Sequence, residues 1–94
     1  MPRGVQLAQA THATVEWCMG YPELTKQWHD VSNYIVVLAV ESEEKLHRIF
    51  ERATNRDIRC SQFREPDMDD QLTAIVLEPG QRSKKLCGHL KLAG

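Results

Sequence analysis

The sequence predicts an α/β fold: a small mixed β-sheet of three to four strands flanked by helices. Three observations predict it. The run "YIVVLAV" (Tyr34–Val40) is nearly continuous in apolar and β-branched residues, which suits a strand covered on both faces. The next segment, "ESEEKLHRIFERA", places Leu46, Ile49, Phe50 and Ala53 on one helical stripe that should face the sheet. Two further strand candidates, Ile58–Phe63 and Thr73–Leu77, follow with helical segments around them, and strands alternating with helices imply layers.

The elements justify themselves in order. Pro2-Arg3-Gly4 reads as an opening turn, with a helix from about Val5 to Met19. Leu7, Ala10 or Thr11, Thr14 and Cys18 share one stripe of it, and Val5, Ala8, His12 and Val15 share another. Gly20-Tyr21-Pro22 breaks that helix. "PELTKQWHD" restarts one with Pro22 at its first position and Glu23 near its positive end. After the Tyr34–Val40 strand, Ser42 is a good N-cap, with Glu43 and Glu44 in the first turn. Asn55 is expected to end this helix in a left-handed conformation. Glu65–Gln71 is polar, contains Pro66, and reads as a loop. Pro79-Gly80 turns the chain into a short helix over Gln81–Cys87, ended by Gly88. "HLKL" closes the chain as an extended tail.

Bulk properties narrow the function classes. A chain of 94 residues supports one compact domain, taken as residues 1–94, and 41% hydrophobic residues allow a real core. With only 6% aromatic residues, that core must rest on Val, Ile, Leu and Ala. The net charge of −1 argues against wholesale nucleic-acid binding but leaves room for a local basic patch. Cys18, Cys60 and Cys87 are odd in number and widely spaced, so neither a disulfide framework nor a structural zinc site is expected. A reducing, cytoplasmic setting fits them. No apolar run is long enough to span a bilayer, and no signal-peptide pattern opens the chain.

Three segments in order carry a resemblance. "PRGVQLAQATHA" opens the chain, "VLAVESEEKL" (Val37–Leu46) lies in the middle, and "GHLKL" (Gly88–Leu92) follows a strand, a Pro-containing turn and a short helix. Together they resemble the type 2 peptidyl-tRNA hydrolase family, whose first helix opens with Gly-Lys-x-x-x-Gln-x-x-His-Ala. Gly4, Gln9, His12 and Ala13 match that pattern. The resemblance implies a four-stranded mixed sheet, usually in a homodimer. It also implies hydrolysis of the ester joining a peptide to the terminal ribose of tRNA, without metal or cofactor. Departures are equally specific. Val5 stands where the family has lysine. "FREPDMDDQLT" stands where the family carries an Asp-Ala-Gly-x-Thr loop, with Glu65 or Asp67 near the aspartate and Thr73 resembling the threonine. In these two places the chain is more similar to a divergent subgroup, the peptidyl-tRNA hydrolase domain-containing proteins. The strand that the family places before "PRG" has no counterpart, so either the chain begins at an internal methionine or a second copy covers the exposed sheet edge, and a dimer is expected.

Ester hydrolysis needs an activated water and donors for a developing oxyanion. Gln9 offers an amide. His12, three residues on and thus a neighbour on the helix surface, is a candidate base. Glu65 directly follows a strand and is the candidate carboxylate; Thr73 completes the catalytic set. Asp67, Asp69 and Asp70 lack the spacing of a calcium loop, and the last two read as solvated. Arg3, Arg82, Lys84, Lys85 and Lys91 are candidate contacts for tRNA phosphates. Trp17 and Trp28 read as core or interface residues, and Cys60 and Cys87 as small core residues. The alternative to a hydrolase is a catalytically inactive module of the same fold that binds RNA or protein. Val5 and the altered loop motivate it.

Overall fold

The computed structural model describes residues 2–93. The first helix, α1, spans Arg3–Gly20, and α2 spans Pro22–Val31, with Pro22 at its start as expected. α1 buries a stripe that lies between the two read from the sequence: Gln9, Ala13 and Trp17, each one turn apart. Leu7 and Val15, one from each of those two stripes, are 59% and 50% exposed. The reason is steric. Ala13 is fully buried and lets α1 approach the strands closely, while Trp17 anchors the far end and donates its indole N–H to the carbonyl of Arg59.

The largest correction concerns Tyr34–Val40. Only Leu38–Ala39 form a strand, β1, and it pairs antiparallel with β4, Lys91–Leu92. Tyr34, Ile35 and Val36 are 82%, 68% and 68% exposed, so this apolar run is not covered among the described residues. The tail foreseen as merely extended is its only ladder partner among the described residues, and the Ala93 N–H donating to the carbonyl of Val37 prolongs the pairing.

α3 spans Glu43–Asn55, and Ser42 caps it, accepting the Lys45 N–H at 3.3 Å. Its stripe faces inward as foreseen, with Ile49 and Ala53 buried and Leu46 and Phe50 half-buried. Asn55, however, remains helical. Asp57 takes the left-handed position instead (φ 57°), and the chain turns so that the Ile58 N–H bonds back to the Ala53 carbonyl. Ile58 thereby joins Ile49, Ala53 and Leu86 in the main core, with Val40, Cys60, Ile75, Leu77, Cys87 and Leu90 packed around it. Cys60 and Cys87 are therefore core residues, and burial pushes the Cys87 thiol up from its ordinary range.

β2 (Cys60–Glu65) and β3 (Gln71–Leu77) form the longer antiparallel ladder, each extending two residues beyond its expected boundary at the loop end. The loop is thus Pro66–Asp70: a 3-10 turn followed by Asp69 and Asp70, both at positive φ. Aspartate tolerates that conformation better than most side chains. α1 packs on both strands of this ladder, and α3 packs chiefly on β3. α4, Gln81–Cys87, lies against α3. The α/β class and the small sheet between helices are as expected. The strand pairing consists of two separate antiparallel ladders, β1 with β4 and β2 with β3.

Candidate functional site

The four candidate catalytic residues meet where α1 crosses the loop end of the β2–β3 ladder. β2 presents Phe63 and Glu65, two residues apart, on the face covered by α1. Gln9 lies 5% exposed beneath them. Its Nε2 donates to Glu65 Oε2 at 2.8 Å, and its Oε1 accepts the Thr73 hydroxyl at 2.9 Å. A carboxylate can only accept, so the nitrogen of the Gln9 amide must face Glu65. Its oxygen then faces Thr73, and the amide is fixed in one orientation.

Thr73 reaches Gln9 because β3 is irregular. Phe63 pairs with Ala74 and Arg64 pairs with Leu72, so Thr73 is an extra residue with no partner. Strict alternation would turn Thr73 to the same side as Ile75 and Leu77, which pack on the core beneath α3. The bulge adds one residue and turns the hydroxyl to the α1 side. There Thr73 Oγ1 lies 2.9 Å from Gln9 Oε1 and 3.3 Å from the Phe63 carbonyl. One hydroxyl proton serves the shorter contact.

Glu65 is held from two sides. Gln9 binds one carboxylate oxygen, and the Asp67 N–H donates to the other at 3.2 Å. These donors, Gln9 first, hold the Glu65 carboxyl below the ordinary glutamate range against the opposing effect of burial. Of the two acidic candidates near the family's aspartate, Glu65 sets its carboxylate against Gln9, and Asp67 contributes its backbone N–H. His12, the candidate base, stands one helical turn along α1 from Gln9. Its ring stacks on Phe63, with centroids 4.7 Å apart and planes 14° apart, and its side chain is exposed. Phe63 is the site residue that sequence reasoning missed. The available signal was its position two before Glu65 on one strand face.

The five candidate cations are all exposed but lie on three elements: Arg3 opens α1, Arg82, Lys84 and Lys85 ride on α4, and Lys91 is in β4. Arg82 is occupied. Its guanidinium donates to the carbonyls of Arg56 (2.7 Å) and Asp57 (3.2 Å) beyond the end of α3, and lies 3.4 Å from Glu78. It serves as a helix C-terminal cap. Lys84 and Lys85 sit in the last turn of α4, where the helix dipole favours cations. Val5, one turn before Gln9, is 37% exposed and adds no charge. No group of three His, Cys, Asp or Glu among the described residues is arranged to hold a metal ion.

A buried amide pinned between a carboxylate and a hydroxyl, beside an exposed aromatic stack, is a pre-ordered hydrogen-bonding site suited to acyl chemistry. Comparison with known proteins places the chain in a family. The family model described as peptidyl-tRNA hydrolase PTH2 matches residues 1–93. The chain is also similar to the peptidyl-tRNA hydrolase of Methanocaldococcus jannaschii, 30% identical over 102 residues, covering 98% of this chain and 89% of that protein. The chain belongs to the peptidyl-tRNA hydrolase PTH2 family.

Proposed function

We propose that this protein hydrolyses the ester between a peptide and the terminal ribose of tRNA, using Gln9, Glu65 and Thr73. The observation that carries the reading is the Gln9 amide, buried and locked between Glu65 and Thr73 on the helix that matches the family pattern. Glu65 takes one Nε2 hydrogen and leaves the other to donate to the oxyanion that forms on the attacked carbonyl. The Glu65 carboxylate takes a proton from the attacking water as its oxygen adds to the ester carbonyl, and returns that proton to the departing ribose oxygen as the ester C–O bond breaks. Thr73 gives its proton to Gln9, so its oxygen lone pairs face outward and accept from the water or the ribose hydroxyl. The exposed face of His12, backed by Phe63, offers a flat surface for the substrate. Family membership favours this reading over the inactive binding module.

Peptide release from N-acetylated aminoacyl-tRNA tests it. Turnover is expected in the unaltered protein. Thr73→Val, which keeps the shape but loses the hydroxyl, should lower kcat about tenfold. No release above a protein-free control would end the hydrolase reading. Lys84, Lys85, Lys91 and Arg3 are the cations proposed to meet tRNA phosphates, and binding should weaken steeply with added salt. Work on peptidyl-tRNA and three free thiols both suit the cytoplasm. No helix among the described residues is long and apolar enough to cross a membrane.

We also propose that the protein acts as a homodimer, with the Tyr34–Val37 segment in the contact. Four consecutive apolar residues, 45–82% exposed and continuing the line of β1, support this. Light scattering at micromolar concentration should give twice the chain mass, and Ile35→Asp should give the monomer. A monomeric unaltered protein would remove this part of the reading.

A further inference from the structure

We infer that Glu43, at the start of α3 and outside the catalytic set, is a positioning residue that holds the β3 bulge so that Thr73 reaches Gln9. Glu43 Oε2 accepts the backbone N–H of Leu72 at 3.0 Å, a bond that joins α3 to β3 across 29 positions of sequence. Leu72 is the residue immediately before the bulged Thr73, and it is 1% exposed, so its amide has little access to water. A buried amide without an acceptor is costly, and a bulge is a place where a strand can change register to find one. Glu43 supplies the acceptor from α3, a different element from the α1 that carries Gln9. The bulge is thereby gripped from two elements, by Gln9 on the Thr73 hydroxyl and by Glu43 on the Leu72 amide.

The neighbours of Glu43 fit a structural acceptor. His47, one turn along α3, lies 3.4 Å from the same oxygen Oε2, and the Leu72 amide, more than His47, holds the Glu43 carboxyl below its ordinary range. Arg64 adds a weaker pull from β2, with its guanidinium donating to the Asp70 carbonyl in the loop. Acceptance by an oxygen at this place is what the bulge requires; the negative charge is secondary.

The inference rests on the hydrolase reading for its kinetic consequence but not for its structural one, and the test separates them. Glu43→Ala should lower kcat for peptide release about tenfold per folded molecule while leaving KM within about twofold. Glu43→Gln, which keeps an oxygen acceptor, should restore kcat to within about threefold. Unchanged kcat in the alanine variant, or no rescue by glutamine, overturns the inference. Should the alanine variant not fold, Glu43→Asp, one methylene shorter, takes its place with the same expectation. In parallel, the side-chain amide resonances of Gln9 are followed by NMR. They should shift, and their exchange with solvent quicken, in the alanine variant but not in the glutamine one. If the unaltered protein releases no peptide, the hydrolase reading fails, and the Gln9 resonances still decide. Movement in the alanine variant supports the positioning role, and no movement overturns it.

Discussion

Gln9→Ala is expected to reduce peptide release by about two to three orders of magnitude, the usual effect of removing an oxyanion donor. The effect should fall on kcat, because the free Nε2 hydrogen gains its partner only as charge develops on the carbonyl oxygen. Stability should drop as well. Gln9 is 5% exposed and makes two hydrogen bonds, one of them to a carboxylate. Loss of both side-chain bonds and of packing against the ladder should cost about 2 kcal/mol. In a domain of this size that is a fall in Tm of roughly 10 °C. Gln9→Glu makes the same point by charge alone. It keeps the shape but sets a second carboxylate against Glu65, so it should lose activity as completely as alanine does. Kinetics measured per folded molecule, beside thermal unfolding of each variant, check both statements.

Glu65→Gln is expected to lower kcat by about one to two orders of magnitude and to remove the acid limb of the pH profile. The substitution cannot reproduce the native bonds. Glu65 accepts at both oxygens, from Gln9 and from the Asp67 N–H. A glutamine amide has one oxygen, so whichever way it turns, an N–H group faces another donor. The direction of the pH effect follows from the donors that hold the Glu65 carboxyl low. Folded Glu65 releases its proton more readily than the unfolded chain does. Its contribution to stability is complete above the unfolded glutamate range and is lost as pH falls through the lower folded value. Activity should therefore persist to pH values below the ordinary glutamate range and then fall, in step with protonation of this one carboxyl. In Glu65→Gln the remaining activity should not show that fall. An acid limb unchanged by the substitution would mean that another group sets it.

The parts of this site that were legible in the sequence are those fixed by local chemistry. The Ser42 cap, the inward stripe of α3, and Pro22 opening α2 follow from short-range rules, and the structure shows all three. Gln9, Glu65 and Thr73 were identifiable as candidates from residue type and family pattern. What joins them was not legible, because it depends on one extra residue in β3. Period-two alternation sends Thr73 to the wrong face, and no residue type near Phe63 or Arg64 announces the bulge. The packing of His12 was not legible for a similar reason. Its neighbour Phe63 comes from a strand distant in sequence, and only the packing of α1 on β2 brings the rings together. Which stripe of α1 is buried was not legible, because neither Ala13 nor Gln9 marks a core face by its residue type. A helix that must lie close to a ladder selects small side chains, and a buried amide is stable once both ends are bonded. Tyr34–Val40 shows the opposite limit: its composition marks a strand that wants cover, but composition does not specify what supplies the second edge.

The Gln9 amide, locked between Glu65 and Thr73, is proposed to stabilise the oxyanion that forms as water attacks the peptidyl-tRNA ester. Single-turnover release of peptide from N-acetylated aminoacyl-tRNA, with the unaltered protein and Gln9→Ala both in excess over substrate, tests it most directly. The unaltered protein should release the peptide in a single exponential, with the alanine variant at least about a hundredfold slower. Equal rates in the two proteins would contradict the claim.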